Sequence, residues 1–145
     1  MDFKEIKYNN VQESFGMGGP YIGELEFKGK LLDGKFLADN KKLSLDKSRV
    51  VFSKYVGSKK TGLFGFKSKR EFKILIYDEP TNSFYQSKES FEALAIKSIL
   101  NEDIVYHIAF HLEIKEFERH IKFNDQNFIK ICFKKSNNDD FDKVF

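Results

Sequence analysis

The chain has 145 residues and a net charge of +3, and a hydrophobic fraction of 41% with 17 phenylalanines excludes an intrinsically disordered protein. Its single cysteine, Cys132, excludes an internal disulfide framework and is typical of a reducing compartment, while no apolar stretch has the length of a signal peptide core or a membrane span. We therefore expect a cytoplasmic protein without membrane contact, with one globular domain at 1–135 and an acidic, mobile tail at 136–145.

The first half of the chain predicts a meander of short antiparallel strands. Segments rich in β-branched and aromatic residues alternate with turn signals, namely glycines, Asn-Lys and the stretch "DEPTN". In "EFKILIY", the residues Phe72, Ile74 and Ile76 alternate with their neighbours and give one apolar face, and "NSFYQS" is the expected hairpin partner. The predicted strands cover residues 3–8, 21–27, 34–38, 49–56, 63–67, 71–78 and 82–87.

A single helix is predicted near residues 88–100. Ser87 is a candidate N-cap, and Glu89 stands in the first turn, where the helix dipole favours an anion. Apolar side chains then recur at helical spacing, at Phe91, Leu94, Ala95 and Ile99. The expected fold class is therefore α+β and mostly antiparallel β, a meander sheet or half-barrel with this one helix packed on it.

The stretch "DIVYHIAFHLEIKEF" (103–117) predicts a long strand. Its even positions are all apolar and its odd positions are mostly polar, which gives a strand one buried face and one wetter face. "NFIKICFKK" (127–135) predicts the last strand, in which Cys132 is interpreted as a small core residue.

The glycine cluster in "SFGMGGPYIGELEF" raises the question of a nucleotide site. Gly18 and Gly23 have the spacing of a Walker loop, but Glu24 and Leu25 stand where Lys and Ser/Thr are needed. Tyr21 stands where a dinucleotide fingerprint that begins at Gly16 needs its last glycine. The pattern favours a flexible bend that enters a strand, with Gly23 at a bulge, and no cofactor site.

Aromatic and basic residues interleave in "KKTGLFGFKSKR" (59–70). Phe64, Gly65 and Phe66 match the middle of the pattern by which RNA-recognition motifs stack bases, but both ends of the pattern differ. The structural alternative is a basic hairpin tip. A nucleic-acid-binding β domain that uses residues 59–70 is therefore the first alternative function.

Three histidines suggest two further kinds of site. His107 and His111 lie four residues apart, which on a strand spans about 13 Å and is too far for one metal ion, so no metal site is expected. Together with Glu113 and His120 they could supply acid–base groups. A small acid–base hydrolase is the second alternative function, and exposed strand histidines are the simpler interpretation.

Charge is distributed unevenly along the chain. Residues 41–73 contain 11 Lys/Arg against two acids, a net charge of 11 − 2 = +9, whereas residues 89–118 contain two Lys against seven acids, a net charge of 2 − 7 = −5. The tail adds Asp139, Asp140 and Asp142. Such asymmetry steers charged partners, although two solvated faces of opposite sign are an equally good interpretation.

The segment from Leu45 to Tyr85 resembles a known group of proteins. "LDKSRVVFSKYV", a basic loop with glycines, and "FKILIYDEPTNSFY" are similar to small β-rich immunity proteins of bacterial polymorphic toxin systems, in particular those of contact-dependent growth inhibition. The resemblance implies a non-enzymatic inhibitor that needs no cofactor, binds one cognate toxin and blocks its active site or substrate surface. The positive net charge differs from the acidic composition common in inhibitors of nucleases.

If the toxin is a basic nuclease, acidic residues of this chain are the expected contacts, because carboxylates can mimic phosphates. The residues predicted to bind the partner are Glu102, Asp103, Glu113, Glu116, Glu118, Asp139, Asp140 and Asp142.

Overall fold

The computed structural model describes residues 5–13, 19–61, 63 and 67–133, and these contain ten β-strands. The strands are β1 (Ile6–Glu13), β2 (Tyr21–Phe27), β3 (Lys30–Leu43), β4 (Arg49–Thr61), β5 (Lys67–Asp78), β6 (Ser83–Ser87), β7 (Ala95–Leu100), β8 (Asp103–His107), β9 (Glu118–Lys122) and β10 (Phe128–Ile131). A short 3-10 turn, Lys115–Phe117, precedes β9.

The strands form two antiparallel sheets. The larger sheet has the order β1-β2-β3-β4-β5-β6-β10, and the smaller sheet has the order β7-β8-β9. Neighbours in the chain are therefore neighbours in each sheet, except where β10 returns to pair with β6. The predicted antiparallel, mostly β meander is confirmed, and so are the hairpin partner at 82–87 and the limits of the strand at 21–27.

Turn chemistry explains why the first strands pair in chain order. Lys28 and Gly29 join β2 to β3 with φ angles of 50° and 77°. Two successive positive φ angles define the type I′ turn, whose twist matches that of the flanking strands. Asn82 ends the β5–β6 turn at φ 49° and Asn101 begins the β7–β8 turn at φ 54°, because Asn tolerates this conformation better than most residues.

The larger sheet is strongly curled. Phe27 on β2 lies four strands away from Phe84 on β6, about 19 Å in a flat sheet, yet their ring centroids are 5.7 Å apart. Tyr77 on β5 contacts both rings, at 4.8 and 5.0 Å. Ile6 beside one edge and Phe133 beside the other join the same buried cluster. The sheet therefore packs its concave face against itself.

The smaller sheet covers the convex face of the larger one. Phe72, Ile74 and Ile76 of β5 are fully buried in a second cluster that also contains Ile96, Ile99, Ile104 and Tyr106 of the smaller sheet. Leu75 and Tyr77 point to the concave cluster, so both faces of β5 are buried and not only the predicted one.

Residues 88–127 are inserted between two paired strands. Ser87 at the end of β6 lies opposite Phe128 at the start of β10, and the Lys88 amide donates to the Asn127 carbonyl at 2.8 Å. The insert therefore leaves and re-enters the larger sheet at one point, and the smaller sheet is built from it.

The prediction of a helix near residues 88–100 is wrong. Ser87, the expected N-cap, ends β6, where its hydroxyl accepts from the Ile74 amide at 2.9 Å and donates to the Glu89 carbonyl at 2.8 Å. Phe91 and Phe72 exchange two backbone hydrogen bonds of 2.7 and 2.8 Å. Residues 88–94 are thus an irregular segment laid along β5.

A bulge explains why the sequence of β7 imitates a helix. Ile96 and Ile99 both face the core although they are three residues apart, because the β7–β8 register shifts between Ile96 and Ser98. One extra residue in a strand shifts the alternation of faces, so that residues three apart point to the same side of the sheet. The helical spacing of three and four residues between buried side chains therefore comes from a loop and a bulged strand that bury the same side of the chain.

The predicted strand at 103–117 is right only for its first five residues. Beyond His107 the chain forms bends, and the Ile108 amide donates to the Phe117 carbonyl at 3.0 Å. Phe110 and Leu112 nevertheless pack against the buried cluster between the two sheets. The alternation of apolar residues therefore reflects a loop whose side chains contact the core, and not a strand. The final strand is shorter than predicted, and Cys132 is exposed and not in the core.

Candidate functional site

Three turns meet at one end of the molecule, which we call the turn end: residues 44–48, 79–82 and 101–102. They surround a cavity of about 580 Å³. Leu45 and Leu100 line it with exposed fractions of 85% and 54%, unusually high for leucines. Four carboxylates, Asp46, Asp78, Glu102 and Asp103, line it against two cations, Arg49 and Lys122.

Asp46 organises the first of these turns. Its Oδ1 atom accepts hydrogen bonds from the Ser44 hydroxyl at 2.7 Å, the Ser48 hydroxyl at 2.6 Å and the Ser48 amide at 3.0 Å. These bonds, with the nearby Arg49 guanidinium, lower the pKa of Asp46 to about 2. The carboxylate therefore keeps its negative charge well below neutral pH, and Leu45 is held beside it on a rigid turn.

Arg49 connects the turns of the two sheets. Its Nε donates to Asp78 Oδ1 at 2.9 Å, its Nη1 donates to the Asn101 carbonyl at 3.2 Å, and its guanidinium lies over the Phe123 ring at 4.8 Å. The Glu79 amide also donates to the Ser48 carbonyl at 2.8 Å. Direct bonds thus fix the positions of the turns that present Leu45 and Leu100.

The predicted acidic residues divide between two ends of the smaller sheet. Glu102 and Asp103 lie at the turn end, where Asp103 is 3.7 Å from Lys122. Glu118 lies at the far end of β9, opposite His107, and Glu113 and Glu116 precede it. Four residues of strand separate the two ends, about 13 Å. Asp139, Asp140 and Asp142 lie outside the described residues.

Glu118 is surrounded by basic groups. Its Oε1 accepts from Lys97 Nζ at 2.6 Å and lies 3.9 Å from His107 Nε2, and its Oε2 lies 3.5 Å from His120 Nε2. The Lys97 hydrogen bond is the main cause that lowers the pKa of Glu118, His120 adds to it, and burial opposes both. The carboxylate is already engaged within the smaller sheet.

The histidine set predicted for acid–base chemistry is only partly brought together. His107 and His120 flank Glu118, and His107 is 1% exposed with no hydrogen-bond partner for either ring nitrogen among the described residues. His111 lies instead in the bend after β8, where its Nδ1 accepts from the Glu113 amide at 3.4 Å. The hydrolase alternative therefore stays a prediction from sequence.

The basic segment lies on the β4–β5 hairpin. Lys54 is directly opposite Lys73, and Lys59 is opposite Lys69. Burial is the main cause that lowers the pKa of Lys54, Lys73 adds to it, and Asp33 opposes it. The predicted base-stacking residues 64–66 lie outside the described residues.

The predicted bend is described only from Gly19 onward, so Gly16 and Gly18 lie outside the described residues. Gly23 lies inside β2, at the register shift of the β2–β3 pair, as predicted. A Cβ at Gly23 would stand 2.7 Å from the Asn9 carbonyl oxygen of β1. This glycine therefore has a packing function.

Most residues of the turn end were not predicted from the sequence. Leu45, Asp46, Arg49 and Leu100 were not predicted as site residues, although "SLDKS" contains the Asp and Ser residues that favour side-chain-stabilised turns. That signal could have located the turn. The meeting of three turns could not be found, because it depends on how the smaller sheet docks.

Comparisons with protein-family models, curated proteins and solved structures give no match. Within residues 5–13, 19–61, 63 and 67–133, no helix has the length and hydrophobicity of a transmembrane span. The same residues contain no group of three or more His, Cys, Asp or Glu side chains arranged to hold a metal ion.

Proposed function

We propose that the protein is a cytoplasmic immunity protein that binds one cognate toxin and covers its active site, without catalysis and without a cofactor. The observation that carries this proposal is the turn end, where Leu45 and Leu100 project among carboxylates. Large exposed apolar side chains rimmed by polar groups are typical of protein-binding surfaces.

The turn end supplies both parts of a tight protein interface. Buried apolar anchors provide most of the binding energy in such interfaces, and surrounding charges provide specificity and faster association. The carboxylates suit a basic partner, such as a toxin whose active site binds phosphates. Because hydrogen bonds already fix the turn of Asp46 and the position of Arg49, little conformational entropy is lost on binding.

The resemblance to immunity proteins supports this surface. The segment from Leu45 to Tyr85 provides Asp46, Arg49 and Asp78 of the turn end as well as the exposed Leu45. A standard interface covers about 800 Å² on each partner, more than one turn can offer. The toxin would therefore also contact Glu102 and Asp103 on the smaller sheet.

The other predicted acidic residues form a second set in this proposal. Glu113, Glu116 and Glu118 lie at the far end of the smaller sheet, and the aspartates of the tail are the remaining members. We expect them to contribute less than the turn end, because Glu118 is paired with Lys97 at 2.6 Å, more closely than Asp103 is paired with Lys122 at 3.7 Å.

The test is growth protection against the toxin encoded beside the gene of this protein. We expect Leu45→Ser with Leu100→Ser, and separately Glu102→Lys with Asp103→Lys, to weaken binding of the purified toxin at least tenfold and to abolish protection. Leu31→Ser is the matched control, since Leu31 is 51% exposed and lies at the opposite end of β3.

Charge reversal at Glu113 and Glu116 separates the two acidic sets. Protection that is lost with Glu113→Lys and Glu116→Lys but kept with the turn-end variants would move the interface to the far end. A neighbouring toxin that neither binds nor is neutralised by the unaltered protein would refute the proposed function.

Nucleic-acid binding is the second candidate, because of the like charges on the β4–β5 hairpin. Equal charges directly opposite each other destabilise a strand pair, and a bound polyanion would relieve that cost. If this is the function, Lys69→Glu with Lys73→Glu should abolish RNA binding, and the salt dependence of the unaltered protein should be steep. Weak binding that no hairpin variant changes would exclude it.

A further inference from the structure

A wide bulge in β3 opens a cleft between the two sheets. Phe36 pairs with Lys54 and Lys41 pairs with Phe52, so residues 37–40 lie opposite Ser53 alone. Asp39 within the bulge has a φ of 56°, which is uncommon for a residue with a side chain, although Asp adopts it more readily than most. Wide bulges and strained backbone are concentrated at functional sites, where they redirect side chains.

The bulge is held open from both strands. Asn40 accepts from the Ile96 amide at 2.7 Å and donates to the Ile96 carbonyl at 3.0 Å, while the Ser53 hydroxyl donates to the Leu94 carbonyl at 2.7 Å. All of these side chains are buried. The spacing of the two sheets at this point is therefore set by specific hydrogen bonds.

The cleft has a volume of about 800 Å³, within the range of small-molecule sites. Small side chains from both sheets line it, and two aromatic residues line it beside them. These lining residues are Ala38, Ala93, Ala95, Ala109, Tyr21 and Phe110.

The charged residues that line the cleft are Asp39, Lys42 and Arg70, and Arg70 lies at one aromatic wall. The Arg70 guanidinium stands 5.5 Å from the centroid of the Phe110 ring, and Phe110 packs edge-on against Phe72 at 5.0 Å. Lys42 also lines the cleft but lies opposite Val51 on β4, whereas Arg70 lies opposite Ser58. The backbone positions of the two residues are thus about 20 Å apart along the strands.

We propose that this cleft binds a small planar aromatic anion. Its ring lies between the alanine walls and Phe110, and its carboxylate or sulfonate pairs with Arg70. An arginine beside an aromatic face suits such a ligand, because the guanidinium binds planar anions and also stacks on rings. The site is separate from the turn end and does not depend on the proposed toxin binding.

The test is a fluorescence titration of the folded protein with 8-anilinonaphthalene-1-sulfonate, followed by displacement with 1-naphthoate and with the neutral analogue 1-naphthalenemethanol. We expect saturable binding and displacement by both compounds. Arg70→Gln should weaken naphthoate about tenfold, as expected for a lost hydrogen bond to a charged group, and the neutral analogue less than twofold. Lys42→Gln is the matched control and should change naphthoate binding less than twofold.

Filling the cleft gives an independent result. Ala93→Phe, and Ala38→Phe if the first variant does not fold, should abolish probe binding while near-UV circular dichroism keeps the native signal. Absence of saturable displacement by naphthoate would overturn the proposal. Equal losses in the Arg70 and Lys42 variants, or full binding in a folded variant with a filled cleft, would overturn it as well.

Discussion

The Asn40 side chain pairs with the backbone of β7 as a neighbouring strand would. Its amide offers one donor and one acceptor in the geometry of a peptide group, and the backbone of Ile96 uses both. Neither group of Ile96 has access to water in the buried environment of Asn40. A buried backbone pair left without partners is costly, which makes this single side chain a strong determinant of sheet docking.

We expect Asn40→Ala to lower the free energy of unfolding by about 2–4 kcal/mol, because it leaves a buried amide and a buried carbonyl unpaired. Urea denaturation followed by circular dichroism measures this. Asn9→Ala is the control, since the Asn9 side chain makes one long bond of 3.3 Å to Glu26 and should cost less than about 1 kcal/mol. Equal effects of the two substitutions would contradict the importance of the Ile96 bonds.

Asp46 predicts a pH dependence of stability. Its pKa falls from an ordinary value of 3.8 to about 2 on folding, so its contribution is fully present above pH 4 and is lost as the pH falls toward 2. Asp46→Asn keeps an acceptor oxygen but does not titrate. The stability difference between the two proteins should therefore shrink from pH 5 to pH 2 in denaturation curves, and parallel curves over that interval would contradict the assignment.

Gly23 in β2 and Gly29 in the turn that follows it are required for different physical reasons, namely space and backbone conformation. Gly23 has a negative φ but no space, since an added Cβ would meet the Asn9 carbonyl oxygen at 2.7 Å and Val11 Cγ2 at 2.9 Å. Gly29 has open space but a φ of 77°. The first position is limited by the approach of β1 and the second by backbone conformation alone.

Gly29→Ala should cost about 1 kcal/mol for the left-handed conformation, whereas Gly23→Ala should cost about 1–3 kcal/mol and displace β1. Thermal denaturation gives the two costs. Amide exchange of β1 distinguishes their causes, because only the Gly23 variant should lose protection there. Loss of β1 protection in the Gly29 variant would show that the turn, and not the close approach, positions this strand.

The strands with tight turns were predictable, because their pairing is local. Lys28-Gly29 and "DEPTN" are turn signals between apolar segments, and a strand lies on each side of both turns, although β3 (Lys30–Leu43) extends beyond the predicted 34–38 and β5 (Lys67–Asp78) begins before the predicted residue 71. The β7 helix was mispredicted because a bulge changes the spacing of buried residues to three. Sequence periodicity does not distinguish such a strand from a helix face.

The candidate site was predictable only in part, because local sequence does not show which distant segments come together. Glu102 and Asp103 were predicted from local charge and do line the turn end. Their neighbours Leu45 and Arg49 are distant in sequence and come close only through docking of the insert. The distribution of charge along the chain also did not distinguish Glu118 from Glu102 and Asp103, because the pairing of Glu118 with Lys97 depends on strand register.

At the scale of the whole molecule, both proposed sites depend on contacts between the sheets. The turn end requires Arg49 of the larger sheet to reach Asn101 of the smaller one, and the cleft requires Asn40 to reach Ile96. A variant that loosens docking should therefore weaken toxin binding and naphthoate binding together. Substitutions confined to one site should affect only that site.

The two covalent connections of residues 88–127 to the larger sheet lie side by side, at Ser87 and Phe128, and this has a dynamic consequence. Because Ser87 and Phe128 remain paired when the insert detaches, the smaller sheet can open as one cooperative unit while the larger sheet keeps the pairing among its own strands. Native-state hydrogen exchange should then show one shared opening free energy for β7, β8 and β9, below that of β4 and β5. Exchange of these five strands at a common free energy would instead mean that the two sheets unfold only together.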